Sequence, residues 1–254
     1  MAEKDLSEKS LEEYPDVFAD IFNSLVFRGK KILKPENLRQ IPTESVFQSG
    51  KKGWKQLYRD VVMENVKTGT RYMILGIENQ AAPDGSMPLR GMGMDYAAYE
   101  KQLRHLIADK RKRHGTRRRK QQKAWKRRMA YQLQCGKLLI PVITLILYFG
   151  VRNWTGPKCL LDMIQMPDEE EYPGISKYIH DYGMNLIVLK DLKQEEESYF
   201  ESDFKYLVKY LRNLHKPEKQ EELLRQDKSM LDHRQETMMA MAALTGDERY
   251  VDMA

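Results

Sequence analysis

The sequence predicts an α/β fold with a central mixed sheet and helices around it. Three observations predict it. Residues 56–80 hold two strand-like runs, "QLYRDVVMEN" and "RYMILGIENQ", separated by the turn-forming "VKTGT". Two β-branched apolar runs follow, "KLLIPVITLILYFGV" and "MNLIVLKDL", which read as strands buried on both faces. Segments with helical spacing lie before, between and after these strands.

The first element is a helix in "SLEEYPDVFADIFNSLVFRG". Phe18, Ile21, Phe22 and Leu25 recur at helical spacing, and Gly29 offers a stop. "KKILKPENLRQIPTES" reads as extended or loop-like because Pro35 and Pro42 break it. After the hairpin, "MPLRGMGMDYAAYEKQLRHLIADK" begins irregularly and becomes helical near Asp95. A basic segment leads to the strand in 137–151, then "GPKCLLDMI" as a short helix, then the strand in 184–192. Beyond Gln194, Tyr199, Phe200, Phe204, Leu207, Leu211 and Leu214 form one helical stripe, and the methionine-rich end reads as a short helix or a weakly ordered tail.

Composition narrows the function classes. The 254 residues carry a net charge of +6, 41% apolar and 31% charged side chains, enough to build a sizeable core. Cys135 and Cys159 have no metal-ligand spacing, and the five histidines form no HExxH pair, which argues against a disulfide framework or a histidine-bound zinc. The charged N-terminus lacks an apolar signal. The run Leu138–Val151 is shorter than the ~20 residues of a membrane helix and contains Pro141. The expectation is a soluble cytoplasmic protein with no membrane partner.

Alternation along the second strand puts Met73, Leu75 and Ile77 on one face and Gly76, Glu78 and Gln80 on the other. A two-residue loop, Thr68-Gly69, sets Asp60 against Ile77 on the wrong face. A three-residue loop, Lys67-Thr68-Gly69, pairs Val66 with Thr70 and sets Asp60 against Gly76, diagonal to Glu78. Gly69 suits the left-handed last position of that longer loop, so the three-residue loop is expected. Gly76 then leaves room for an ion beside Asp60. Two carboxylates converging across strands suit Mg²⁺, with Mn²⁺ as a substitute. The Gln80 amide could orient a water or donate to a phosphate, but it is no general base. Solvated acids at a strand end show the same spacing.

The residues Asp60, Glu78 and Gln80, in "YRDV…GIENQ", resemble the glutamine-terminated variant of the PD-(D/E)XK nuclease signature. "FADIFN", "GKKILKPENL", "MPLRGMGMDYAAYEKQ", "KLLIPVITLILYFG", "WTGPKCLLDMI" and "DYGMNLI" occur in the same order as in the recombination-promoting nucleases, also labelled PD-(D/E)XK nuclease family transposases. This resemblance spans Phe18 to Ile187. It implies a restriction-endonuclease-like core, a central mixed sheet flanked by helices, and metal-dependent cleavage of DNA phosphodiesters in a bacterial cell. Asp60 and Glu78 would be the metal ligands. Gln80 stands where many relatives carry lysine, which leaves the general base unassigned. The superfamily often adds an acid from the first helix. Asp20 is the candidate and Asp16 the reserve, with an exposed or capping role as the alternative for Asp20. Asp95, Tyr99 and Gln102 share a helix face and could support the site, touch DNA or serve structure.

The chain then divides into residues 1–192, a nuclease-like domain with a basic insertion at about 104–130, and a helical C-terminal appendage at 193–254. In the insertion, Arg111, Arg113, Arg117, Arg118, Arg119, Lys120, Lys126, Arg127 and Arg128 are candidate phosphate contacts, with Trp125 and Tyr131 able to stack on bases. A solvated charged helix is the competing reading. The expected activity is a Mg²⁺-dependent DNA endonuclease of recombination or mobile elements, possible as a homodimer. The alternatives are a catalytically inactive DNA-binding protein on the same scaffold and an interaction module using Leu207 and Leu211.

Overall fold

A computed structural model describes residues 9–49, 53–113 and 139–254. Five strands form the main sheet: β1 (Leu38–Gln40), β4 (Val61–Lys67), β5 (Thr70–Gln80), β6 (Val142–Tyr148) and β7 (Asn185–Val188), in the order β1-β4-β5-β6-β7. β1, β4 and β5 run antiparallel to their neighbours, whereas β5, β6 and β7 are parallel. The sheet is therefore mixed, as expected. A parallel β5–β6 pair needs a crossover, and helix α2 (Met87–Arg113) lies within it. This helix begins eight residues before Asp95, where the sequence reading started it (95 − 87). A second hairpin, β2 (Glu44–Ser49) with β3 (Gly53–Tyr58), was not expected; it takes "QLY" away from the main sheet and packs on α2.

Strand alternation sorts the side chains into two layers. Val61, Met63, Leu75, Ile77, Leu145 and Leu147 face helix α1 (Pro15–Leu25), where Val17, Phe18, Ile21 and Phe22 are fully buried. Val62, Ile74, Val142, Ile146 and Tyr148 face α2, against Met87, Met94 and Ala98. The result is helix, sheet and helix in three layers.

Helices α3 (Gln194–Ser198), α4 (Phe204–Arg212), α5 (Pro217–Arg225) and α6 (Arg234–Thr245) complete the α1 layer. The C-terminal region is helical, but it is not set apart from the core. Phe200, Phe204, Leu207, Val208, Leu211, Met238 and Met241 are in one apolar cluster with Phe18 and Ile77. Each buried CH₂ contributes about 0.8 kcal/mol, so separating these helices from α1 would be strongly unfavourable. Leu207 and Leu211 are thus spent on the core and cannot offer an interaction surface. "GPKCLLDMI" contains only a 3₁₀ turn, Leu161–Met163.

The β4–β5 hairpin corrects the expected loop. Lys67 pairs with Thr70, so the loop has two residues, Thr68 and Gly69, both at positive φ (47° and 78°). That is the signature of a hairpin turn matched to strand twist, even though threonine is an unusual occupant. Parity is restored further along. Val66 pairs with Arg71 but Asn65 pairs with Met73, so Tyr72 is an extra residue bulged out of the ladder. Beyond the bulge Val62 faces Gly76 and Val61 faces Ile77. The ladder ends there: Asp60 lies just outside it, and its N–H donates to the Ile77 carbonyl (3.0 Å).

Tyr72 is the residue that the bulge absorbs, and its side chain is exposed, so Tyr72→Ala should change stability by less than about 1 kcal/mol. Deleting Tyr72 should close the ladder with Val66–Arg71 and Asn65–Met73 still paired and with Leu75 and Ile77 on the same face. Urea unfolding is expected to show a cooperative transition for both variants; loss of cooperativity in the deletion would mean that the bulge itself holds the hairpin.

Candidate active site

Glu78 sits near the C-terminal end of β5, between the β4 edge and Ile146 of β6, on the α2 side of the sheet. It is 5% exposed. Asp60 immediately precedes β4, and its backbone N–H donates to the Ile77 carbonyl (3.0 Å). Its Oδ2 accepts from the Asn79 backbone N–H at 2.7 Å. These two bonds hold Asp60 against the Ile77–Asn79 backbone, close enough for its charge to act on Glu78. Gln80 follows on the same face, and its Nε2 donates to Glu78 Oε1 at 3.3 Å.

Burial first, and then the charge of Asp60, push the Glu78 carboxyl up from its ordinary 4.5 to about 7. Arg90, with a smaller effect from Arg59, works in the opposite direction. Because the folded-state value is raised, the folded chain keeps this proton to higher pH than the unfolded chain. Stability is therefore greatest at low pH in this respect and falls as pH rises from about 4.5 to about 7. Glu78→Gln removes that decline. At pH 8 the variant should be more stable than the wild type by ~2 kcal/mol, and the gain should vanish near pH 4, as read by urea unfolding at both pH values.

Three residues around the pair escaped the sequence reading. Arg90, in the first turns of α2, donates from Nη2 to Glu78 Oε1 and from Nη1 to Asp84 Oδ2 (2.7 Å). A basic side chain near a helix N-terminus opposes the helix dipole, and that was the available signal that Arg90 serves another group. Asp84 is fixed in turn by the Ser86 N–H and hydroxyl (2.8 and 2.7 Å). Behind the strand, Asn79 points to the α1 side and donates from Nδ2 to Oε2 of the fully buried Glu12 (2.8 Å). Asn79 thus joins Glu12 to Asp60 through one residue.

Gly76 does not leave room for an ion. A Cβ there would lie 2.5 Å from Arg59 Cδ, because the Arg59 side chain crosses the strand at this point. Arg59 donates from Nε to Thr144 Oγ1 and from Nη2 to Asp95 Oδ1, both at 2.9 Å. Asp95 also accepts from the Thr144 hydroxyl (2.8 Å) and the Tyr182 hydroxyl (2.7 Å). Asp95 is therefore a half-buried hub. Tyr99 Oη accepts from the Val142 N–H, and Gln102 exchanges two hydrogen bonds with the Ile140 backbone. All three residues fasten α2 to β6, which is the structural role.

Asp20 is not brought to this group. Helix α1 packs on the opposite face of the sheet, and the Asp20 carboxylate accepts from the N–H groups of Glu201 and Ser202 and from the Ser202 hydroxyl. The reserve, Asp16, pairs with His233 Nε2 at 2.8 Å. Both acids anchor α1 to the C-terminal region. Of the basic candidates, Arg111 and Arg113 belong to the last turn of α2. Arg117, Arg118, Arg119, Lys120, Lys126, Arg127 and Arg128, with Trp125, Tyr131 and Cys135, lie outside the described residues.

Asp60 and Glu78 could offer carboxylate oxygens and Gln80 an amide oxygen to a hard divalent cation, although Glu78 Oε1 already accepts from Arg90 and Gln80 and Asp60 Oδ2 from the Asn79 N–H. Among the described residues no three His, Cys, Asp or Glu side chains converge on one point. No family model, curated protein or solved structure matches the chain. Among the described residues, no helix is long and apolar enough to cross a membrane.

Proposed function

We propose that the protein is a Mg²⁺-dependent DNA endonuclease with a restriction-endonuclease-like core, acting in recombination or in mobile elements. The observation that carries this reading is the pairing of Asp60 with the buried, proton-retaining Glu78 at a strand end, with Gln80 beside them. Perturbed carboxylates of this kind cluster at functional sites. The ordered resemblance to the recombination-promoting nucleases supports the substrate class, and so does the basic run at about 104–130.

Asp60 and Glu78 would hold the cation. When bound, the cation neutralises charge on a phosphoryl oxygen and lowers the pKa of a water. Asn79 fixes the Asp60 carboxylate through its backbone N–H. The Gln80 amide accepts from the attacking water through Oε1 or donates to a phosphate oxygen through Nε2. The basic run binds the DNA backbone without reading sequence. A homodimer would present two such sites to the two strands. Asp20 has no part in this chemistry.

One observation favours a second reading, a DNA-binding protein that does not cut. Arg90 already holds Glu78, its Nη2 donating to Oε1. Supercoiled plasmid incubated with Mg²⁺, and again with EDTA, separates the two. An endonuclease nicks only with metal. A non-catalytic binder shifts the DNA in a salt-sensitive manner under both conditions and leaves it supercoiled.

A further inference from the structure

The β2–β3 ribbon rises from the rim of the candidate site, and no part of the proposed chemistry uses it. The backbone places its root. After Gln40 the chain leaves the main sheet, where the Ile41 N–H donates to the Val62 carbonyl (3.0 Å). Glu44 then pairs with Tyr58 as the first of six ribbon pairs, and Ser49 with Gly53 is the last. Across the root the Arg59 N–H donates to the Thr43 carbonyl (3.3 Å). Asp60 is the next residue, so Arg59 alone separates the ribbon from it.

That root is fastened on both sides. The Arg59 side chain is held by Thr144 of β6 and Asp95 of α2, and Asp60 is held by the Asn79 N–H. The ribbon packs on α2, which can cover one of its two faces. Six residues at ~3.4 Å each make strands of ~20 Å. The major groove of B-DNA, ~12 Å wide, admits a ribbon of two strands, and ~20 Å matches about six base-pair steps. A lone two-stranded hairpin is marginally stable in water, so a partner on the second face would stabilise it.

Charge points to the kind of partner. Residues 45–58 hold Lys51, Lys52 and Lys55 and no carboxylate, in a chain with 37 acids among its 254 residues. The other polar residues of "SVFQSGKKGWKQLY" include amides and hydroxyls, the groups that bond base edges and phosphates.

We propose that the β2–β3 ribbon is a grip for duplex DNA, separate from the basic run at about 104–130. It enters the major groove beside the scissile phosphodiester and sets the distance between the double helix and Asp60. The position of the scissile bond rests on the proposed function; binding of the ribbon to a duplex needs neither metal nor cleavage.

The test is binding of the full chain to a labelled duplex of about 20 base pairs and to one of its single strands, read by fluorescence anisotropy in EDTA over a range of salt concentrations. Plasmid nicking with Mg²⁺ is read beside it. In a trimmed variant, residues 46–56 are replaced by Asn-Gly, which closes a two-residue turn on the Ser45–Leu57 pair. Its duplex affinity at ~0.1 M salt should fall at least tenfold, and the slope of log K against log salt should shrink by about 3, one for each lysine. Lys55→Gln leaves the ribbon whole and should shrink the slope by about 1; it decides alone if the trimmed chain does not unfold cooperatively. Single-strand affinity should stay within about threefold in both variants, since a single strand has no groove to seat the ribbon. Unchanged duplex affinity and slope in both variants, with Mg²⁺-dependent nicking by the wild type, overturns the grip and leaves the proposed function standing. Equal losses on duplex and single strand overturn the seating in the groove. No binding of either DNA by the wild type overturns the DNA reading, and the grip with it.

Discussion

Arg59→Met should destabilise the protein by about 3 kcal/mol, the lower end of the range for breaking a buried ion pair from one side. The Arg59 side chain is 2% exposed and lies across β5 at Gly76. Burial lowers its pKa, and the Asp95 carboxylate offsets that effect through charge and hydrogen bonding. Methionine fills much of the volume but strands Asp95, which keeps only the Thr144 and Tyr182 hydroxyls as donors. Those two remaining hydrogen bonds place the expected loss at the low end.

The same geometry ties Arg59 to Gly76. Gly76→Ala puts a methyl 2.5 Å from Arg59 Cδ and 3.0 Å from Nε, so one side chain or the strand has to shift. Overpacking of this kind costs about 1–3 kcal/mol. In the Arg59→Met background Sδ stands where Cδ stood, but no guanidinium anchors it to Thr144 and Asp95, so the flexible thioether can move aside. The two substitutions should therefore be non-additive, with the double variant more stable than the sum of the single losses implies. Urea unfolding of the four proteins in the cycle reads both effects. Additive losses would mean that Arg59 does not occupy the space above Gly76.

The second large effect is catalytic. Asp60→Asn and Glu78→Gln should each lower Mg²⁺-dependent nicking by at least ~100-fold, because each removes a charged oxygen from the cation site. DNA binding at low salt should persist in both, since the basic run and not the carboxylates meets the phosphate backbone. Glu78→Gln separates loss of chemistry from loss of fold. The variant is expected to be more stable than the wild type above neutral pH, so inactivity cannot be assigned to unfolding. Gain of stability with loss of function is the usual signature of a strained functional residue.

Much of this arrangement was legible in the sequence. The β-branched runs around Val142 and Asn185 could be read as strands because strands buried on both faces leave continuous apolar stretches. That Asp60 lies near Glu78 could be inferred as well, but from a loop length that the hairpin does not have. A glycine after Thr68 suits a three-residue loop and a two-residue loop equally, and a bulge at Tyr72 leaves no compositional mark. Asp20 misled because its spacing on α1 says nothing about which face of the sheet the helix covers. That choice is set by Phe18 and Phe22 packing with Phe204 and Leu207, nearly two hundred residues away. Arg90 and Arg59 were hidden for a related reason. Each lies in a short motif quoted for other residues, and its meaning depends on a partner across the fold.

The most direct measurement is the rate at which supercoiled plasmid is nicked by the wild type, Asp60→Asn and Glu78→Gln at matched protein and Mg²⁺ concentrations. Metal-dependent nicking by the wild type that both variants lose, while all three still bind DNA and unfold cooperatively, is the expected result. Equal nicking by all three proteins would contradict the assignment of Asp60 and Glu78 as the active site.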